Sequence, residues 1–136
     1  MRGTGRGFTL VEILLVVAII GMLAAMVFPR LVGRTQQAKI SRAKADIASI
    51  GLALDLHELD LGRYPASLEE LTSREAPSDL GSGVQWNGPY LKKRLPSDPW
   101  GRPYSYARES QHNQDYDLWS LGPDGQPGKD DVTNWD

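Results

Sequence analysis

Residues 8–28 read FTLVEILLVVAIIGMLAAMVF, twenty-one positions that carry one charged side chain, Glu12. As a helix rising 1.5 Å per residue, this run spans roughly 30 Å, the thickness of a bilayer's hydrocarbon core. An ordinary secretory signal has an apolar core of only about 7–15 residues ending at a small-residue cleavage site. Ala24 and Ala25 keep that cleaved-signal reading open, but the run is long enough to cross. The residues before it, MRGTGRG, hold two arginines and three glycines and look like a leader. A carboxylate inside a membrane helix costs roughly 3 kcal/mol on insertion scales, so Glu12 needs either a partner or water at the interface.

Outward from this run the composition changes. Eight of the nine prolines lie after residue 60, and the 136-residue chain reads as an anchor plus one polar head, too short for a multidomain enzyme. Pro29 closes the apolar run and, lacking a donor, is expected to kink or loosen a helix there. Past it, Ile40, Ala43, Ile47, Ile50, Leu54, His57 and Leu61 recur at alternating spacings of 3 and 4, one stripe of an amphipathic helix that faces the head's sheet. Gly51 interrupts at about 1 kcal/mol relative to alanine. Gly62 is a natural terminator, so one helix over 8–61 follows. His57, alone on the apolar stripe, reads as a core histidine with one satisfied nitrogen. Arg30, Arg34, Lys39, Arg42 and Lys44 suit a solvated face as well as they suit acidic lipid headgroups or acidic patches on neighbouring subunits.

In RYPASLEELTSREAP at 63–77, Ser67 followed by Glu70 reads as a capping box opening a short helix over about 68–73, with Pro77 limiting it. From 81 to 136, turn signals alternate with short runs at Tyr104–Ala107 and Tyr116–Ser120, which predicts a small antiparallel sheet with loops. Within Asp98-Pro99-Trp100-Gly101, Pro99 sets a turn, Gly101 permits a positive φ and Trp100 supplies an apolar plug. Asp124, Asp130 and Asp131 share a loop with Gly122, Gly125 and Gly128, and three carboxylates on such a loop suit a hard cation such as calcium. From the residues alone a solvated acidic turn is the better reading. The spacing is not that of an EF-hand.

The chemistry classes narrow further. A formal charge of −2 leaves no basic footprint for nucleic acid. With no cysteine, thiol nucleophiles, disulfides and cysteine zinc sites are impossible. No Ser-His-Asp spacing, histidine pair or phosphate-cradling glycine loop is present, so no enzyme is expected.

Gly7 before Phe8, the Thr9-Leu10 pair and Glu12 four residues after Phe8 resemble the class III signal of type IV pilins and pseudopilins. The resemblance implies that a prepilin peptidase cuts after Gly7, that Phe8 becomes an N-methylated terminus, and that Glu12 pairs with the terminal ammonium of a neighbouring subunit. Cleavage removes the two leader arginines, leaving 13 basic against 17 acidic residues, a charge of −4. Positive-inside counting of Arg30 to Lys44 against the leader places the head in the cytoplasm. The resemblance instead implies a single pass through a bacterial inner membrane with the head in the periplasm.

RYP at 63–65, YLKKRLPSDPWGRPYSY at 90–106, YDLWSLGPDG at 116–125 and the closing NWD are similar to the major pseudopilins of type II secretion systems. The implied fold is α+β and pilin-like, a long N-terminal helix packed on a small antiparallel sheet with a C-terminal calcium-binding loop. The implied organisation is a leader at 1–7, a membrane and assembly helix at 8–28 and a head at 29–136, with Pro29 as a joint. The calcium ligands implied are Asp124, Asp130, Asp131 and the backbone carbonyl of Leu121, although this loop is shorter than the usual version. The implied partners are copies of the chain itself, the peptidase, minor pseudopilins and the inner-membrane assembly platform. A type IV or competence pilin shares everything through Pro29. A monomeric membrane-anchored binding module, using the acidic loop and Trp86, Trp100, Trp119 and Trp135, is the alternative from another class.

Overall fold

The computed structural model describes residue 5 and residues 7–136, without the side chains of residues 30–32. The leader arginines and the side chain of Arg30 therefore lie outside the described residues. In chain order the elements are helix α1 (Leu10–Leu61), a 3₁₀ helix (Leu68–Thr72), and strands β1 (Ser105–Ala107), β2 (Asp117–Ser120) and β3 (Val132–Thr133). Packing divides the chain into two units, Met1–Gln37 and Ala38–Asp136. Residues 29–37, which hydropathy groups with the head, fall by packing in the first unit.

In the first unit, α1 opens two residues after Phe8 and contains a window long and apolar enough to cross a membrane, none of it buried. Pro29 lies inside α1, whose helical assignment continues on both sides. The expected joint is thus not a break in secondary structure.

In the second unit the 3-and-4 stripe is the buried face of α1. Ala43, Ile47, Ile50, Leu54 and His57 are at most 5% exposed and pack with Leu68, Leu71, Tyr104, Leu118 and Val132. Gly51 lies on this face for steric reasons: a β-carbon there would stand 2.8 Å from the hydroxyl oxygen of Tyr116. Gly62, at φ +72°, donates to the carbonyl of Glu58 and ends the helix in the left-handed conformation that glycine tolerates.

The short helix expected over 68–73 is a 3₁₀ turn ending at Thr72, and its capping differs from the box predicted. Ser67 makes no side-chain cap. Glu70 Oε1 instead accepts from the Ala66 N–H at 2.9 Å, one residue earlier than a capping box requires.

The sheet is antiparallel in the order β1-β2-β3, with Tyr106 opposite Leu118 and Ser120 opposite Val132. Both expected strands form, each one residue shorter at its start. The third strand was not expected. Asn134 extends its pairing: its N–H donates to Leu118 O, while its side chain accepts from Leu118 N and donates to Tyr116 O. Tyr104 ties the sheet to α1 by donating to Asp46 Oδ2 at 2.8 Å.

Candidate functional site

Two regions carry the residues singled out by the sequence, and each belongs to a different unit. At the helix start, Gly7, Phe8 and Thr9 are exposed and non-helical, so the Gly7–Phe8 bond lies in chain that can adopt an extended conformation. Thr9 caps α1. Its Oγ1 accepts from the Glu12 N–H at 3.2 Å, and its carbonyl accepts from Ile13. Thr9-Leu10-Val11-Glu12 is a Thr-x-x-Glu pattern, a signal that identifies Thr9 as a capping residue, a role the sequence reading passed over. Glu12 is exposed in the first turn, where the unpaired N–H groups favour a negative charge.

At the other region, Asp98 organises the head. Its carboxylate is 3% exposed, with Oδ1 accepting from the N–H groups of Trp100 at 3.1 Å and Arg102 at 2.7 Å. Oδ2 accepts from Ser120 Oγ at 2.6 Å, and that hydroxyl oxygen in turn accepts from the Gly122 N–H. The Asp98 N–H donates to Arg102 O, and the Gly101 N–H to Asp98 O. With Gly101 at φ +88°, these bonds make a tight turn that holds Trp100 half-buried against the core, as the sequence suggested.

Asp98 and Arg102 also join this turn to the acidic loop. The Arg102 guanidinium donates to the Gly122 carbonyl, and a β-carbon at Gly125 would stand 2.6 Å from its Nη1. A β-carbon at Gly122, at φ +65°, would collide with the Asp130 carbonyl. Two of the three loop carboxylates are used locally: Asp124 Oδ1 accepts from Gln126 N at 2.8 Å and Asp131 Oδ1 from Gly128 N at 3.2 Å, while the Asp130 carboxylate lies beside Gly122 and Gly128. Among the described residues no group of three or more His, Cys, Asp or Glu side chains is arranged to hold a metal. The Arg102 guanidinium is a cation that touches this loop from the neighbouring turn.

These features match a known family end to end. Residues 30–135 match the family model for type II secretion system protein G, and residues 4–28 match the prokaryotic N-terminal methylation motif. The chain belongs to the type II secretion system protein G family. It is 44% identical to the type II secretion system core protein G of Escherichia coli K12, over 99% of this chain and 95% of that one. Identity to the Pseudomonas aeruginosa core protein G is 42%, over 99% and 98%. A crystal structure of the major pseudopilin from the type 2 secretion system of enterohaemorrhagic Escherichia coli matches with TM-score 0.64 and 34% identity, over 77% of this chain and 89% of that one.

As a protein G family member, the chain has its methylation motif over Gly7, Phe8 and Glu12 and its family-specific region over the whole head. His57 is a core residue: fully buried, it donates from Nδ1 to Arg63 O at 2.9 Å, while Nε2 lies 3.8 Å from Glu70 Oε2. The tryptophans are neither deep core nor free platforms. Trp86 meets His57 and Tyr90 edge-on, and Trp135 stacks on His112 at 4.1 Å and meets Trp119 edge-on.

Proposed function

We propose that this chain is a structural subunit of the type II secretion pseudopilus, polymerising through the first half of α1 to help drive folded proteins across the outer membrane. The observation that carries the reading is the match to protein G across the whole head, joined to an N-terminal methylation motif. The helix start supports the chemistry. Glu12 is the single carboxylate in an exposed apolar stretch. Once a peptidase has cut after Gly7, the ammonium of Phe8 on a neighbour supplies the opposite charge in a medium of low dielectric. The topology proposed is a single pass with the head in the periplasm, and the further partners are minor pseudopilins and the inner-membrane platform. Replacing Glu12 by alanine should abolish filaments and secretion while leaving the head's melting temperature unchanged; filaments of normal yield from Glu12→Ala overturn the pairing.

We propose separately that the C-terminal loop takes calcium through Asp124, Asp130, Asp131 and the Leu121 carbonyl. Its support is donor chemistry, hard oxygens on a glycine-rich loop: the N–H groups of Gln126 and Gly128 engage only Oδ1 of Asp124 and Asp131, which leaves acceptor capacity on each carboxylate for a cation. Full-length chain in detergent should melt higher in calcium than in magnesium or chelator, by about 2.7 kcal/mol at a hundredfold excess over Kd, and Asp124→Ala should lose the difference. Three identical melts exclude the ion.

A further inference from the structure

Side chains along β2 alternate between the two faces of the sheet. Leu118 and Ser120, both fully buried, lie on the core face, so Asp117 and Trp119 stand on the outer one, with Ala107 opposite Asp117 and Thr133 opposite Trp119. An outer face that met only water would be polar and open. This one instead floors a cleft of about 700 Å³, walled by the segments 109–112 and 127–131 and by Trp135. Trp119 and Trp135 meet there at 62° with ring centroids 5.9 Å apart, and both stay partly exposed. His112 covers one face of Trp135 by stacking at 4.1 Å.

The charges in the cleft have one prevailing sign. Asp117 is already met by Ser110, Gln111 and His112. Glu109, Asp131 and Asp136 line the same cleft, against the single ammonium of Lys129. Asp131 and Asp136 each engage one oxygen only, with Gly128 N and Thr133 Oγ1, and Glu109 enters no ion pair or hydrogen bond among the described residues. Carboxylates beside two angled indoles suit a planar cation: a guanidinium lies flat on an aromatic face and presents its N–H fork to a carboxylate at the edge. A sugar would use the indoles but gains little from the excess negative charge, and an acidic peptide is repelled by it. We propose that this outer-face cleft binds a basic segment of a partner protein, with an arginine side chain seated against Trp119 and Trp135 and paired with Glu109. The site is complete within one head and is independent of the pseudopilus reading.

Full-length chain in uncharged detergent, with chelator present so that no divalent cation competes, is titrated with an acetylated glycine-arginine pentapeptide. The peptide should shift the indole N–H resonances of Trp119 and Trp135 and leave those of Trp86 and Trp100 in place. The same peptide with citrulline for arginine, similar in shape and uncharged, should shift none of them. Glu109→Gln should weaken binding about threefold and flatten its dependence on salt, at an unchanged melting temperature because the side chain is exposed and unpartnered among the described residues. Trp135→Leu should weaken it at least about fivefold. Equal shifts with the citrulline peptide, or shifts spread over all four tryptophans, overturn the proposal, as does parental affinity in Glu109→Gln. A chito-oligosaccharide that moves Trp119 and Trp135 where the arginine peptide does not makes the cleft a sugar site and overturns it too.

Discussion

Gly51 is held in a helix interior by a single oxygen atom. Alanine there gains about 1 kcal/mol of helix propensity but drives a methyl into the Tyr116 hydroxyl, whose ring is pinned edge-on by Tyr64 at 5.0 Å. Gly51→Ala should therefore lower stability by about 1–2 kcal/mol, and adding Tyr116→Phe should restore it to the parent or above, as thermal unfolding of the four-member cycle will show. Asp98 is a second such position. Asp98→Ala strands two N–H groups and a hydroxyl in a buried place and should cost about 3 kcal/mol or more in denaturant titration. Asp98→Asn keeps one oxygen for both N–H groups and should cost less. Neither role could be read from the sequence: Gly51 looked like an imperfection and Asp98 like a turn residue, since their reasons are partners 65 and 22 positions away. His57 was legible, because a histidine at a core position of a regular stripe has few other places to go.

At the scale of elements, α1 was the readable part, for a period repeated over six intervals overrides local noise. The strand Val132–Thr133 is two residues long and cannot display alternation, so its pairing is set by what β2 leaves open. β2 begins with a buried carboxylate, Asp117, whose charge must be met by hydrogen-bond donors. Burial by itself raises the Asp117 carboxyl, but bonds from Ser110 Oγ at 2.5 Å, Gln111 N and His112 Nδ1 outweigh it and hold the group well below the usual carboxylate range. A folded-state value depressed below the unfolded one of about 3.9 contributes stability that is present above that pH and lost as pH falls beneath it. Stability measured from pH 6 downward should decline below about pH 4, and Asp117→Asn should be weaker at pH 6 with a shallower acid slope. An identical slope in the variant would assign the acid sensitivity elsewhere.

The whole molecule closes late. The sheet's central strand depends on a partner that follows it in the chain, and Tyr104 must find Asp46 across 58 positions. Removing residues 132–136 should abolish cooperative unfolding and leave the head protease-sensitive, whereas a head merely weakened by losing an edge strand would still melt cooperatively. The pairing order has a consequence for synthesis. Because β2 has its second neighbour only when Val132 and Asn134 have been made, the head cannot complete its sheet until well after its apolar segment has left the ribosome. If the head crosses the membrane as proposed above, a closing strand that follows the strands it closes leaves the sheet open, and the chain threadable through a narrow channel, while those earlier strands pass.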